Sequence, residues 1–82
     1  MDPASRTPRQ LGAELRRYRK KLELTQTELS GRINKRQATI STLESAGSGT
    51  IETLFAVLSA LDLELSIRPR SKSDRSKIED IF

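Results

Sequence analysis

The run Arg36-Gln37-Ala38-Thr39-Ile40-Ser41 carries side chains that suit the edges of base pairs. A glutamine amide can pair with adenine, a guanidinium with guanine, and a small side chain such as Ala38 can touch a thymine methyl. Thr39 and Ser41 lie, like them, on the exposed, N-terminal side of the helix that this run would open. Upstream, Gln26 and Thr27 stand where another helix would begin, and there free N–H groups and the helix dipole favour a phosphate. Thr25 before them, and Arg17 within the basic run Arg16–Lys21, complete the phosphate candidates. Each has a plainer reading: a solvated polar face for 36–41, a helix cap for Thr25, a solvated charge run for 16–21. The chain contains no Cys and no His, which excludes disulfides, a zinc site and a His-based acid/base centre. It also lacks a nucleophile–base pair, a metal ligand set and a phosphate-cradling glycine loop. Neither an enzyme nor a cofactor is expected.

The elements that would position these residues follow from caps and periodicity. Thr7-Pro8-Arg9-Gln10 has the shape of a capping box with Pro at the first helical position. Leu11, Leu15, Tyr18 and Leu22 then recur at helical spacing, predicting a helix over 8–22. Thr25-Gln26-Thr27-Glu28 is a second capping box, with Leu24 placed to staple onto Leu29. Leu29 and Ile33 bury, and Asn34 tolerates the left-handed turn that stops this short helix. A third helix is expected over 36–45, burying Ile40 and Leu43 and broken by Gly47 and Gly49. A fourth, capped by Thr50, covers 51–61 with Ile51, Leu54, Phe55, Leu58 and Leu61 on one stripe. Arg19 sits near the buried stripe of the first helix, with Glu23 or Glu44 as its partner.

After residue 61 the period changes. Leu63-Glu64-Leu65-Ser66-Ile67-Arg68 alternates apolar and polar residues, the pattern of a half-buried strand, and Pro69 closes it. A strand at 64–68 has no second strand in this sequence to satisfy its main chain. It is therefore expected to pair with a copy of itself, with Leu63, Leu65 and Ile67 facing the helices and Arg68 at its end. The organisation expected is a loose arm over 1–6, one domain over 7–68 and a tail over 69–82. Residues 69–77 have no apolar side chain and read as disordered.

Size and charge agree with this division. Eighty-two residues, 34% of them apolar and 4% aromatic, allow one domain with a thin core, for which pairing would help. No apolar stretch is long enough to span a membrane, so a cytoplasmic protein is expected. The net charge is +4, and it is uneven. Residues 1–24 hold seven basic and three acidic side chains, whereas 48–67 hold three acidic and no basic ones. The basic front leans toward nucleic acid.

Residues 26–45 (QTELSGRINKRQATISTLES) satisfy the needs of two short helices joined by a tight turn. Ser30 is small where the helices cross, Asn34 turns the chain, and Leu29, Ile33, Ile40 and Leu43 anchor the pair. This is the helix-turn-helix arrangement, whose second helix enters the major groove.

Residues 10–61 resemble the Cro/cI-type (XRE-like) helix-turn-helix domain, with LRRYRKKLELTQTELS and ATISTLES as the telling segments. Four helices followed at once by a strand, with RQATIS in the recognition helix and LSALDLELSIR behind it, are similar to the HipB-type antitoxins. The resemblance implies a mainly α fold: a four-helix domain followed by one C-terminal β-strand that pairs across a homodimer. It implies a dimer that binds inverted-repeat operator DNA, represses its own operon and binds a HipA-type serine/threonine kinase toxin. It marks Arg36, Gln37, Ala38, Thr39 and Ser41 as base readers. Two residues depart from the pattern: Asn34 stands in place of the usual turn Gly, and Lys35 in place of an apolar residue.

The last five residues, Ile78-Glu79-Asp80-Ile81-Phe82, restore hydrophobicity. Ile78, Ile81 and Phe82 could dock into a groove on the toxin, serve as a degradation signal, or form an ordinary frayed end. Two other functions stay open. A stand-alone or phage-type repressor would have no toxin gene beside it, and a protein-binding helix pair would not need the basic front.

Overall fold

The computed structural model describes residues 5–70. Residues 1–4 of the expected arm, and the tail residues Ile78, Ile81 and Phe82, lie outside the described residues. Four helices follow one another: α1 (Pro8–Lys21), α2 (Gln26–Arg32), α3 (Gln37–Ala46) and α4 (Ile51–Ala60).

Each start has a chemical cause. The Thr7 hydroxyl accepts the Gln10 N–H at 3.1 Å, and the Gln10 side chain accepts the main-chain N–H groups of Thr7 and Arg6. Pro8 fills the first turn, where its missing N–H leaves nothing unpaired. Thr25 and Glu28 repeat the reciprocal arrangement at the head of α2, at 3.0 and 2.9 Å. Thr50 accepts the Thr53 N–H at 3.0 Å to open α4. Arg36 precedes α3 in extended conformation and makes no side-chain cap.

The stops share one device. Glu23, Asn34 and Asp62 all have φ near +58°, at 58°, 57° and 58° respectively. Beyond each, an N–H reaches back five residues: Leu24 to the Arg19 carbonyl, Lys35 to Ser30, and Leu63 to Leu58. The residue at positive φ donates to the carbonyl three before it. Together these bonds form the Schellman motif, which satisfies carbonyls that the helix end would otherwise leave bare. α3 ends differently, on Gly47 at φ 69°.

The core is Leu15, Leu24, Leu29, Ile40, Leu43, Val57, Leu58 and Leu61, with Leu11, Tyr18, Ile33, Leu54 and Leu63 packed at its edge. α3 lies against both α1 and α2, and α2 also meets α4. Ser30 is buried where α2 passes its neighbours, its hydroxyl donating to the Thr27 carbonyl at 2.8 Å. A larger side chain there would have to displace an adjoining helix.

Two expectations need correction. α1 ends at Lys21 rather than at 22, and Leu22 turns outward, half exposed. On α4 the buried stripe runs through Thr53, Val57 and Leu58 toward Leu61. Ile51 is 73% exposed and Phe55 52%, because the other three helices cover only one flank of α4. Residues 63–70, where a strand pairing with a second copy is expected, carry no regular secondary structure in the single chain. Leu63 packs against the core, Leu65 lies half exposed beside Phe55 and Leu58 of α4, and Ile67 is 93% exposed. An alternating segment acquires strand geometry only with a neighbouring strand to bond, and the described residues supply none. Among the described residues no helix is long and apolar enough to cross a membrane.

Candidate nucleic-acid interface

The positions singled out in the sequence fall into two groups around the junction of α2 and α3. Arg36 and Gln37 stand at the head of α3, both exposed, with Ala38 exposed beside them. Thr39 and Ser41 are half-buried on the same helix, as their nearness to the buried Ile40 requires. Gln26 opens α2 and is half-buried, whereas Thr25 and Thr27 are exposed. The structure thus brings Gln26 and Gln37, eleven residues apart, into contact: Gln37 Nε2 donates to Gln26 Oε1 at 2.6 Å.

That contact is the outer end of a longer chain of bonds. Gln26 Nε2 donates to Glu44 Oε1 at 3.1 Å. Glu44, in the body of α3, is only 5% exposed. Arg19 of α1, 6% exposed, grips it with two parallel bonds, Nε to Oε2 at 2.6 Å and Nη2 to Oε1 at 3.0 Å. The remaining reach of the Arg19 fork goes to the Leu24 carbonyl through Nη1. A fork–fork pair of this kind fixes angle as well as distance. Burial would penalise either charge alone, and here each neutralises the other. No buried side-chain nitrogen or oxygen among the described residues is left without a partner.

The other candidates are placed less pointedly. The Thr25 hydroxyl is committed to the Glu28 N–H as a cap. Thr25 also acts on its partner. Its N–H, then its hydroxyl, and to a lesser degree the charge of Arg32, hold the exposed Glu28 carboxyl below the usual carboxylate range. Arg17 pairs with Glu14 at 2.7 Å and stacks over Tyr18, 4.8 Å from the ring centre, with Lys21 at 5.2 Å from the same ring. Its guanidinium is therefore held along α1. No cluster of acidic side chains able to hold a metal occurs among the described residues.

Glu44 is one of the two partners expected for Arg19 from the sequence, but its bond to Gln26 is not foreseen there. Nothing local signals that bond, because it joins residues eighteen apart through the packing of α2 on α3. Leu63 sits where expected beside the core. Together with Phe55, Leu58, Asp62 and Leu65 it lines a groove of about 380 Å³. Arg68 is exposed.

Comparison with known proteins places this geometry. A helix-turn-helix family model matches residues 15–67. No curated protein sequence matches the chain. Among solved structures, a HipB variant in complex with an O2 20mer is 29% identical over 87% of this chain and 100% of that one, with TM-score 0.79. A HipB–O4 20mer complex and a HipA–HipB–O2–O3 complex are each 30% identical, covering 85% of this chain and 100% of theirs, both with TM-score 0.78.

Proposed function

The chain belongs to the helix-turn-helix family, and from that premise we propose that it is a sequence-specific DNA-binding antitoxin. In this reading it represses its own operon as a homodimer on an inverted repeat and binds a HipA-type serine/threonine kinase toxin, in the cytoplasm. The observation that carries the reading is Gln37, exposed at the first turn of α3 and held by Gln26. The head of the second helix of a helix-turn-helix is the part that meets base edges. Gln37 with Arg36, Ala38, Thr39 and Ser41 reads bases, and Thr25, Gln26, Thr27 and Arg17 contact phosphates. The complexes of HipB with 20mers, and with HipA, support both partners.

The dimer rests on what a single chain leaves uncovered. Ile51, Phe55, Leu65 and Ile67 are large apolar side chains exposed in the single chain, and residues 64–68 bond no neighbouring strand among the described residues. Pairing of residues 64–68 with their copy, through Leu63, Leu65, Ile67 and Arg68, would satisfy that main chain. Two recognition helices about 34 Å apart would then face successive turns of one DNA groove.

The test is a titration of the full chain against duplexes tiled across the DNA upstream of its gene, at several salt concentrations. A selective site with a steep negative salt slope is expected. Gln37→Ala should weaken that site by about 1–3 kcal/mol and relax one base position. Light scattering should give a dimer, lost on deletion of residues 63–82. The product of the adjoining gene should co-purify with the full chain, and less well without residues 78–82. Equal binding to every duplex would refute the proposal.

A further inference from the structure

We infer that Glu44 is a positioning residue for base reading: through Gln26 it fixes which end of the Gln37 amide is spent inside the protein, and so which base Gln37 accepts. The inference rests on the DNA-binding reading above and concerns a residue that no nucleic acid could touch, since Glu44 is buried.

A side-chain amide has a donor end and an acceptor end of nearly equal shape, so packing alone does not orient it. Charge does. Ionised Glu44 only accepts hydrogen bonds, and Arg19 holds it in place. Gln26 must therefore turn its Nε2 toward Glu44, which it does at 3.1 Å, and its Oε1 outward. Oε1 in turn takes an N–H of Gln37 Nε2 at 2.6 Å. Gln37 is left with its Oε1 and one remaining N–H for the outside. One acceptor beside one donor matches the N6–H and N7 edge of adenine. If the relay ran the other way, Gln37 would spend its Oε1 on Gln26 and present two N–H donors. Two donors match the O6 and N7 acceptors of guanine. The polarity of a buried carboxylate is thus transmitted over two amides to the surface.

The experiment measures, for the full chain, the ratio of affinities for adenine and guanine at the operator position that Gln37→Ala relaxes. The native chain should prefer adenine. Glu44→Gln keeps the shape but frees the amides to turn, and should reduce the ratio about tenfold, the scale of one bidentate contact. Gln26→Glu combined with Glu44→Gln moves the carboxylate one step outward, forces Gln37 Nε2 inward again, and should restore the adenine preference even where total affinity falls. A purely structural role for Glu44 would not produce that rescue. If Glu44→Gln does not fold, Arg19→Met with Glu44→Leu replaces the buried pair by apolar side chains and should lower the ratio in the same way. A native chain that binds no duplex selectively overturns the DNA-binding reading. Selective binding combined with a native preference for guanine, an unchanged ratio in the folded variants, or failure of the rescue overturns the role of Glu44 alone.

Discussion

A Cβ built on Gly12 would stand 2.3 Å from the carbonyl oxygen of Leu43 and 2.7 Å from that of Glu44. At this point α1 and α3 touch main chain to main chain, directly beside the carboxylate that Arg19 grips.

Gly12→Ala should therefore destabilise the domain although alanine favours a helix. The propensity gain is about 1 kcal/mol. Against it stands an overpacking cost of about 1–3 kcal/mol or more, at its upper end here because the obstacle is main chain that cannot rotate away. A net loss of about 2 kcal/mol in urea unfolding is expected. A raised midpoint would mean that α1 can shift on α3 without penalty.

Removing one half of the Arg19–Glu44 pair should cost far more than removing both. Arg19→Met leaves a buried carboxylate without its cation and is expected to lose about 3–5 kcal/mol. Arg19→Met with Glu44→Leu should recover most of that loss, since an apolar pair of similar volume needs no compensation. Urea titrations of the native chain, both single variants and the double variant give the coupling directly. Additive losses would show that water reaches the pair.

Acid should loosen the head of α2. The Glu28 carboxyl is held below its ordinary value chiefly by the Thr25 N–H. A lowered native value means that the ionised form favours folding. Its contribution is complete above the unfolded-state value and is lost as the pH falls through the native one. The Thr25 amide resonance should move with Glu28 in an acid titration, its midpoint below that of an unfolded glutamate. Glu28→Gln should abolish that step. A Thr25 amide that titrates unchanged in Glu28→Gln would place the cause elsewhere.

Asn34 should tolerate glycine and resist alanine. Its φ of 57° lies in the left-handed region, where a Cβ without a local polar contact costs about 1–2 kcal/mol. Asn34→Gly should stay within a few tenths of native stability, and Asn34→Ala should lose about 1 kcal/mol by thermal unfolding. Equal losses would mean that the Asn34 side chain itself supplies the stability.

The helices were legible because their starts are written locally. Thr7 with Gln10, Thr25 with Glu28, and Thr50 each announce a cap within four residues, and Asn34 announces the turn. The stop at Glu23 was hidden, because glutamate does not advertise positive φ; Asp62 is of a type that tolerates it, but no glycine or asparagine marked the turn there. Burial was legible in kind but not in extent. Periodicity put Ile51 and Phe55 on the apolar side of α4 without showing that three short helices cover only part of it. Gly12 gave no signal, since a glycine within a helix does not reveal what crosses above it. The same holds for the site. Gln26 and Gln37 stood out by type and place, while the carboxylate that joins them to Arg19 came into view only once α1, α2 and α3 were packed.

Gln37 stands in water and Glu44 does not, and this divides how freely each can vary. A replacement at position 37 falls on an exposed side chain and leaves the interior as it was, so a new base preference can arise there while the chain still folds. The same alteration sought at position 44 would leave the buried Arg19 without its carboxylate. The domain thus keeps its adjustable letter on the outside and its compass locked within.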